Sequence, residues 1–262
     1  MSHASRLKTK LYNKDLTIGS WLSWGFSPIT EVMATAGFVW LVIDLEHTAL
    51  DYDQTHQMIQ VIDLAGCVPL VRVGDNHPLI IKRVLDCGAS GIIVPMVNSV
   101  EDAERAVASA YYPPRGNRGV GLSRAKGYGM AFTGYRERAL EQTIVIVQIE
   151  HVLGVKNMEA ILSVDGVDGF IIGPYDLSGS VNQPGNFHHP AVLEMLDRVQ
   201  HIMKASGKPG GYHVVHTKQD ELLNRIEEGY RFIAYGDDMV MFAQKVKDEV
   251  KLFQHLNEKL IV

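Results

Sequence analysis

The sequence predicts a (β/α)8 barrel, the eight-unit member of the α/β class. Three observations predict it. Eight short apolar runs of β type alternate with polar turns and helical patterns over about 250 residues, the count a barrel of this kind requires. The runs are continuously apolar rather than alternating, as strands buried on both faces of a helix-covered parallel sheet are. No GxGxxG follows an early strand, so the doubly wound open sheet lacks its fingerprint.

In chain order the predicted strands are TIGSWL (17–22), FVWLVIDL (38–45), VPLVRV (68–73) and GIIVPM (91–96). TIVIVQI (143–149), GFIIG (169–173), PGGYHVV (209–215) and YRFIAYG (230–236) complete the eight. The helices between them are read from 3.6-residue spacing. Asp51 to Ala65 places Met58, Ile59 and Ile62 on one face, and Pro78 to Cys87 places Leu79, Val84 and Leu85. Ser99 is a predicted N-cap, with Asp102 three residues on and an Ala/Val-rich run after it. Ala191 to Ala205 carries Val192, Leu196, Val199 and Met203. A last helix, from about Met239 to Leu260, carries Val246, Val250, Phe253 and Leu260 on one face. Residues 111–142 are too long for a simple connection and carry little apolar pattern, so they read as a functional loop. No stretch reads as a linker, and residues 1–262 are expected to form one barrel domain.

Composition narrows the function classes. The chain has 262 residues, 46% of them hydrophobic, enough to bury a full core without staples. A net charge of -5 argues against a general nucleic-acid or anionic-membrane binder. FVWLVI and IVIV fall far short of a membrane span. The basic start MSHASRLKTK has no apolar h-region behind it, so a cytoplasmic protein is expected. Cys67 and Cys87 stand alone, which excludes a disulfide scaffold and a zinc–cysteine site.

A barrel builds its active site at the C-terminal ends of its strands. Polar residues where apolar runs stop are therefore the candidates: Asp44, Glu46, His47, Arg72, Gln148, Glu150, Tyr175 and Asp176. Glu150 and Asp176 close neighbouring strands. Two carboxylates in one cup suit Mg²⁺ or Mn²⁺ with substrate oxygens and waters completing the shell; equally, each could cap a helix or pair with an arginine. His47 has the chemistry of a general base, but its spacing alone reads as a surface histidine at a loop start. Arg72, inside an apolar run, needs an anion: Asp44, Asp86 or a bound carboxylate. The small residues of Gly169 to Asp176 would let backbone N–H groups after Pro174 approach a carboxylate, or simply form a tight turn. His213 and His216 lie three apart on a predicted strand, which points them to opposite faces and leaves at most one at the barrel mouth.

Several motifs agree in order along nearly the whole chain: GSWL (19–22), AGFVWLVIDLEH (36–47), PLVRV (69–73) and IKRVLDCGASGIIVPMV (81–97). YPPRGNRGVG (112–121), VQIE (147–150) and GVDGFIIGPYDLS (166–178) continue them. In these motifs the sequence resembles the HpcH/HpaI class II pyruvate aldolases. The resemblance implies a phosphoenolpyruvate/pyruvate-type TIM barrel whose last helix is exchanged between protomers, in a homo-hexamer built from dimers. It implies retro-aldol cleavage of a 4-hydroxy-2-oxo acid to pyruvate and an aldehyde, dependent on a divalent metal ion such as Mg²⁺, Mn²⁺ or Co²⁺. By the same resemblance His47 transfers the proton, Asp86 raises its basicity and Arg72 stabilises the developing oxyanion. Glu150 and Asp176 hold the metal, and Gln148 with the backbone of Tyr175 and Asp176 binds pyruvate. DLEH in place of DGEH, Tyr175 in place of a small residue, GYHVVH in the seventh strand and SGSVNQPG are departures, and they surround the aldehyde side. The rival readings are a malyl- or citryl-CoA-type thioester lyase and a non-catalytic metabolite-binding barrel.

Overall fold

Eight parallel strands close on themselves in chain order, the first pairing with both the second and the eighth. The computed structural model describes residues 1–260, the side chains at 132, 133, 136 and 255–260 aside. Helix α1 (His3–Asn13) leads into β1 (Thr17–Leu22), α2 (Ser27–Thr35), β2 (Trp40–Asp44), α3 (Tyr52–Leu64) and β3 (Val68–Arg72). Next come α4 (Pro78–Cys87), β4 (Gly91–Val94), α5 (Val100–Ala110), a 3₁₀ turn at Arg124–Gly129, and α6 (Phe132–Gln142). They are followed by β5 (Ile144–Ile149), α7 (Val152–Leu162), β6 (Gly169–Ile172), the short α8 (Pro174–Gly179) and α9 (Pro190–Ser206). The chain ends in β7 (Gly210–Val214), α10 (Gln219–Glu227), β8 (Phe232–Asp237) and α11 (Asp238–Leu260). All eight predicted strands are present. Two predicted helix starts carry reciprocal capping boxes, Asp51 with Gln54 and Ser99 with Asp102.

Successive strand residues face opposite sides, and the apolar runs divide accordingly into two shells. Leu41, Ile43, Val71 and Ile92 face the helices. Trp40, Val42, Val68, Leu70, Ile146 and Phe232 fill the barrel interior, with Trp40 stacked on Phe232 at 4.0 Å between centroids. Gly19 is required here: a Cβ would fall 2.1 Å from the Trp40 ring. The pairing Trp40↔Val68, Val42↔Leu70, Asp44↔Arg72 carries the interior rows upward until they turn from apolar to charged. That transition is the floor of the site.

Two segments differ from expectation. The basic N-terminus, unassigned among the predicted elements, is a helix. Its Leu7 and Leu11 are buried in the interior cluster, and Lys8 Nζ lies 3.1 Å from the Tyr111 hydroxyl and 3.2 Å from Asp168. One apolar pair is too weak a pattern to read, and the helix is held by tertiary packing rather than by propensity. The 111–142 segment is also more ordered than its composition suggests. Its 3₁₀ turn packs on α4, and the buried Arg118 and Lys126 both bind Asp86.

On α11, Val246, Val250 and Phe253 are largely exposed, while Phe242 meets Trp24 edge-on at 5.3 Å. The predicted apolar face therefore lacks cover at those three positions; the Leu260 side chain lies outside the described residues. No helix among the described residues is long and apolar enough to cross a membrane.

Candidate active site

Counting by twos along the interior rows places the site. In β2 the row runs Trp40, Val42, Asp44; in β3 it runs Val68, Leu70, Arg72. In β5 the row of Ile144 and Ile146 continues to Gln148 and then Glu150. Each polar side chain thus stands one step above the last apolar layer, at the C-terminal mouth.

Arg72 is gripped from three sides. Its Nε donates to Asp44 Oδ1 at 2.9 Å and its Nη2 to Asp44 Oδ2 at 2.7 Å. Its Nη1 lies 3.2 Å from Glu46 Oε2. The guanidinium lies 4.4 Å from the centroid of the Trp21 ring. Burial works to raise the Asp44 carboxyl, but the hydrogen bonds and charge of Arg72 outweigh it and hold the group below its ordinary value. Glu46 goes the other way. Burial, aided by the Glu150 charge, prevails over Arg72 and pushes it up. Asp44 and Glu46 are thus the anions of Arg72 among the protein groups, and Asp86 is not.

Glu150 is buried. Its Oε1 accepts from the Met96 backbone N–H at 2.7 Å and its Oε2 from the Gln148 side-chain amide. Met96 adopts a left-handed backbone, φ 52°, to deliver that N–H. Burial is the main force raising the Glu150 carboxyl; the two hydrogen bonds oppose it and the Asp176 carboxylate adds to it. Gly173 makes room for this arrangement, since a Cβ there would lie 2.8 Å from Glu150 Oε2. Asp176, in the first turn of α8, is exposed and borders the same hollow as Glu150. The donor chemistry fits a hard divalent cation. The Asp176 carboxylate sits close enough to disfavour the charge of Glu150, and Gln148 Oε1 is buried without a hydrogen bond. Among the described residues no group of three or more His, Cys, Asp or Glu gathers, so waters and substrate oxygens would supply the other ligands.

A cavity of about 450 Å³ opens beside these groups. Trp21, Arg72, Gln148, Tyr175 and Asp176 line it, together with both His213 and His216. The alternation argument for the two histidines is thereby corrected. β7 ends at Val214, so His216 stands beyond the strand and alternation no longer governs it. A larger concavity of about 1090 Å³ lies at the opposite end, around Lys8, Lys14 and Lys208, and holds none of the candidate groups.

His47 follows β2 and is exposed at the mouth, its Nε2 3.7 Å from Glu46 Oε2. It is not paired with Asp86 within this chain. Asp86 sits in the last turn of α4, where it accepts from Arg118 Nη2 at 2.6 Å and Lys126 Nζ at 2.8 Å. Helices of a barrel run back toward the N-terminal end, which carries that turn away from the mouth. Trp21 is a site residue that sequence reasoning did not single out. It sits inside an apolar run and reads as core. The two-residue count from Gly19 would have placed Trp21 in the interior row.

Comparison with known proteins agrees with the fold. The family HpcH/HpaI aldolase/citrate lyase matches residues 18–244. A 5-keto-4-deoxy-D-glucarate aldolase of Enterobacter sp. (strain 638) is 37% identical over 251 residues, 94% of this chain and 97% of that protein. An HpcH/HpaI aldolase/citrate lyase family protein from Burkholderia cenocepacia J2315 superposes with a TM-score of 0.90 at 32% identity, over 95% of this chain and 99% of that one. The HpcH/HpaI aldolase from Desulfitobacterium hafniense DCB-2 gives a TM-score of 0.86 at 28% identity, over 95% and 96%. With its barrel, its strand-end carboxylates and these relatives, the chain belongs to the HpcH/HpaI aldolase/citrate lyase family of carbon–carbon lyases.

Proposed function

We propose that the chain cleaves a 4-hydroxy-2-oxo acid to pyruvate and an aldehyde, reversibly and with a divalent metal ion. The observation that carries this reading is the gathering of Arg72, Gln148, Glu150 and Asp176 at one mouth of the barrel, with the first two on one cavity wall. Glu150 and Asp176 would hold Mg²⁺, Mn²⁺ or Co²⁺. Bound there, the ion supplies Lewis-acid polarisation of the keto group.

The rest of the chemistry belongs to the chain. Gln148 and the backbone N–H groups of Tyr175 and Asp176 orient the pyruvate half. Arg72, already fixed by Asp44 and Glu46, faces the keto oxygen as negative charge develops on it. His47 takes the 4-hydroxyl proton, directly or through a water, as the C3–C4 bond breaks. The bonding electron pair passes to the pyruvate half and the aldehyde leaves. Asp86 has no part in this within one chain; its partners are Arg118 and Lys126.

The assembly we propose is a homo-hexamer built from dimers, with α11 exchanged between protomers and its exposed Val246, Val250 and Phe253 covered there. We place the protein in the cytoplasm, acting on small molecules. Chelation tests the reaction. Cleavage of a 4-hydroxy-2-oxo acid should vanish in excess EDTA and return with added Mg²⁺, Mn²⁺ or Co²⁺. Full activity in chelator, borohydride trapping of pyruvate on a lysine, or turnover of CoA thioesters alone would overturn the reading.

A further inference from the structure

The aldehyde side of the cavity is unlike what a dicarboxylate substrate would need. Arg72 is the sole Lys or Arg among its lining residues, and Asp44 and Glu46 already engage it. The remaining wall is aromatic or apolar at Tyr175, Phe187, Tyr212 and Val215, acidic at Glu221, and carries the imidazole of His216. Tyr175 meets Phe187 edge-on at 6.3 Å and packs on Gly185, so the far end closes without a lysine or arginine among the lining residues. A second carboxylate there would be desolvated beside like charge.

His213 supplies the polar contact instead. Its Nε2 is 3.1 Å from the Gly236 carbonyl oxygen. A carbonyl can only accept, so Nε2 carries the proton. The ring also rests on Trp21, 5.3 Å between centroids, which fixes its plane. Burial keeps the imidazole neutral, its pKa pushed down to about 4. Nδ1 is left as a lone-pair acceptor with no hydrogen bond from any described residue, on a side chain that borders the cavity. Such an atom wants a hydroxyl donor and repels a carboxylate.

Resting on the retro-aldol reading, we propose that the aldehyde half of the substrate is an uncharged hydroxyaldehyde and that His213 selects it. Relatives of this chain are named 5-keto-4-deoxy-D-glucarate aldolase; this chain takes an aldehyde without a carboxylate.

The test combines pyruvate and Mn²⁺ with glycolaldehyde, propanal or succinic semialdehyde, each in turn. Deuterium exchange into the pyruvate methyl group in D₂O is recorded alongside. Glycolaldehyde should exceed both other aldehydes in kcat/KM by at least about tenfold, the size of one satisfied hydrogen bond or one avoided buried charge. His213→Leu should bring glycolaldehyde and propanal within about twofold of each other, and His213→Asn, which keeps an acceptor, should restore part of the gap. The wild-type ranking stands even where a variant fails to fold. Absence of exchange overturns the retro-aldol reading and this inference with it. Exchange together with a preference for succinic semialdehyde, or an unchanged glycolaldehyde preference in His213→Leu, overturns this inference alone.

Discussion

Replacing Arg72 by methionine keeps most of the side-chain volume and removes the charge. Two hydrogen bonds to Asp44, at 2.9 and 2.7 Å, disappear with it, as do the contact to Glu46 at 3.2 Å and the placement over Trp21. The Asp44 side chain is 5% exposed, so its carboxylate is stranded rather than handed to water. Removing one partner of a buried pair costs about 3–5 kcal/mol. The lost cation–π contact adds about 0.5–1 kcal/mol, so a loss of about 4 kcal/mol is expected near neutral pH. The pH dependence has a definite sign. In the native protein Asp44 is held below its ordinary value, so its contribution is present above the unfolded pKa and lost as pH falls through the folded one. Without Arg72, burial acts on Asp44 against only the backbone N–H groups of Glu46 and His47, and it acts further on the already raised Glu46. Both carboxyls then shift upward, and protonation in acid relieves the variant of its unpaired buried charge. The gap between wild type and variant should be widest at about pH 7 and narrow toward about pH 5. Urea unfolding at both pH values, at one fixed protein concentration, measures it. A loss below about 1 kcal/mol at neutral pH, or a gap that widens in acid, would refute the buried-pair argument.

Gly173→Ala should drive a methyl group into Glu150, whose Oε2 would be 2.8 Å away, and lower kcat/KM by about 10²-fold while the far-UV circular dichroism stays native. Native turnover in that variant would show that the position of Glu150 is not critical. Deleting the residues after Lys245 removes Val246, Val250 and Phe253 and should reduce the native mass seen by light scattering. A truncated chain that keeps the full assembly would refute the exchange of α11.

Much of this architecture was legible in the residues because burial on both faces leaves a plain mark. TIGSWL is β1 to the residue, and all eight runs became strands. The candidates at the strand ends came from the same rule: a charge that ends an apolar row, such as Asp44 or Arg72, needs a reason. Partnerships were harder to read. Asp86 is held by Arg118 and Lys126, which a long connection folds back over α4, and spacing carries no trace of that contact. His216 was misplaced because the end of β7 fell two residues earlier than its position, and strand alternation stops with the strand. Trp21 was hidden for the opposite reason. An aromatic ring inside an apolar run looks the same whether it fills a core or bears on a guanidinium.

The closure of the barrel floor by α1 has a consequence for how the chain reaches its native state. Leu7 and Leu11 join an interior cluster drawn from every strand but β7, and Lys8 reaches Thr143 and Asp168. On the ribosome, α1 emerges before β5 and β6 and must therefore wait for them before its anchoring contacts exist. A helix this short has little stability in isolation. It stays a solvated, unfolded leader while the strands assemble, and it seals the interior from below only after they have closed. This helix is thus fixed late, and the loop that its docking closes spans more than half of the 262 residues.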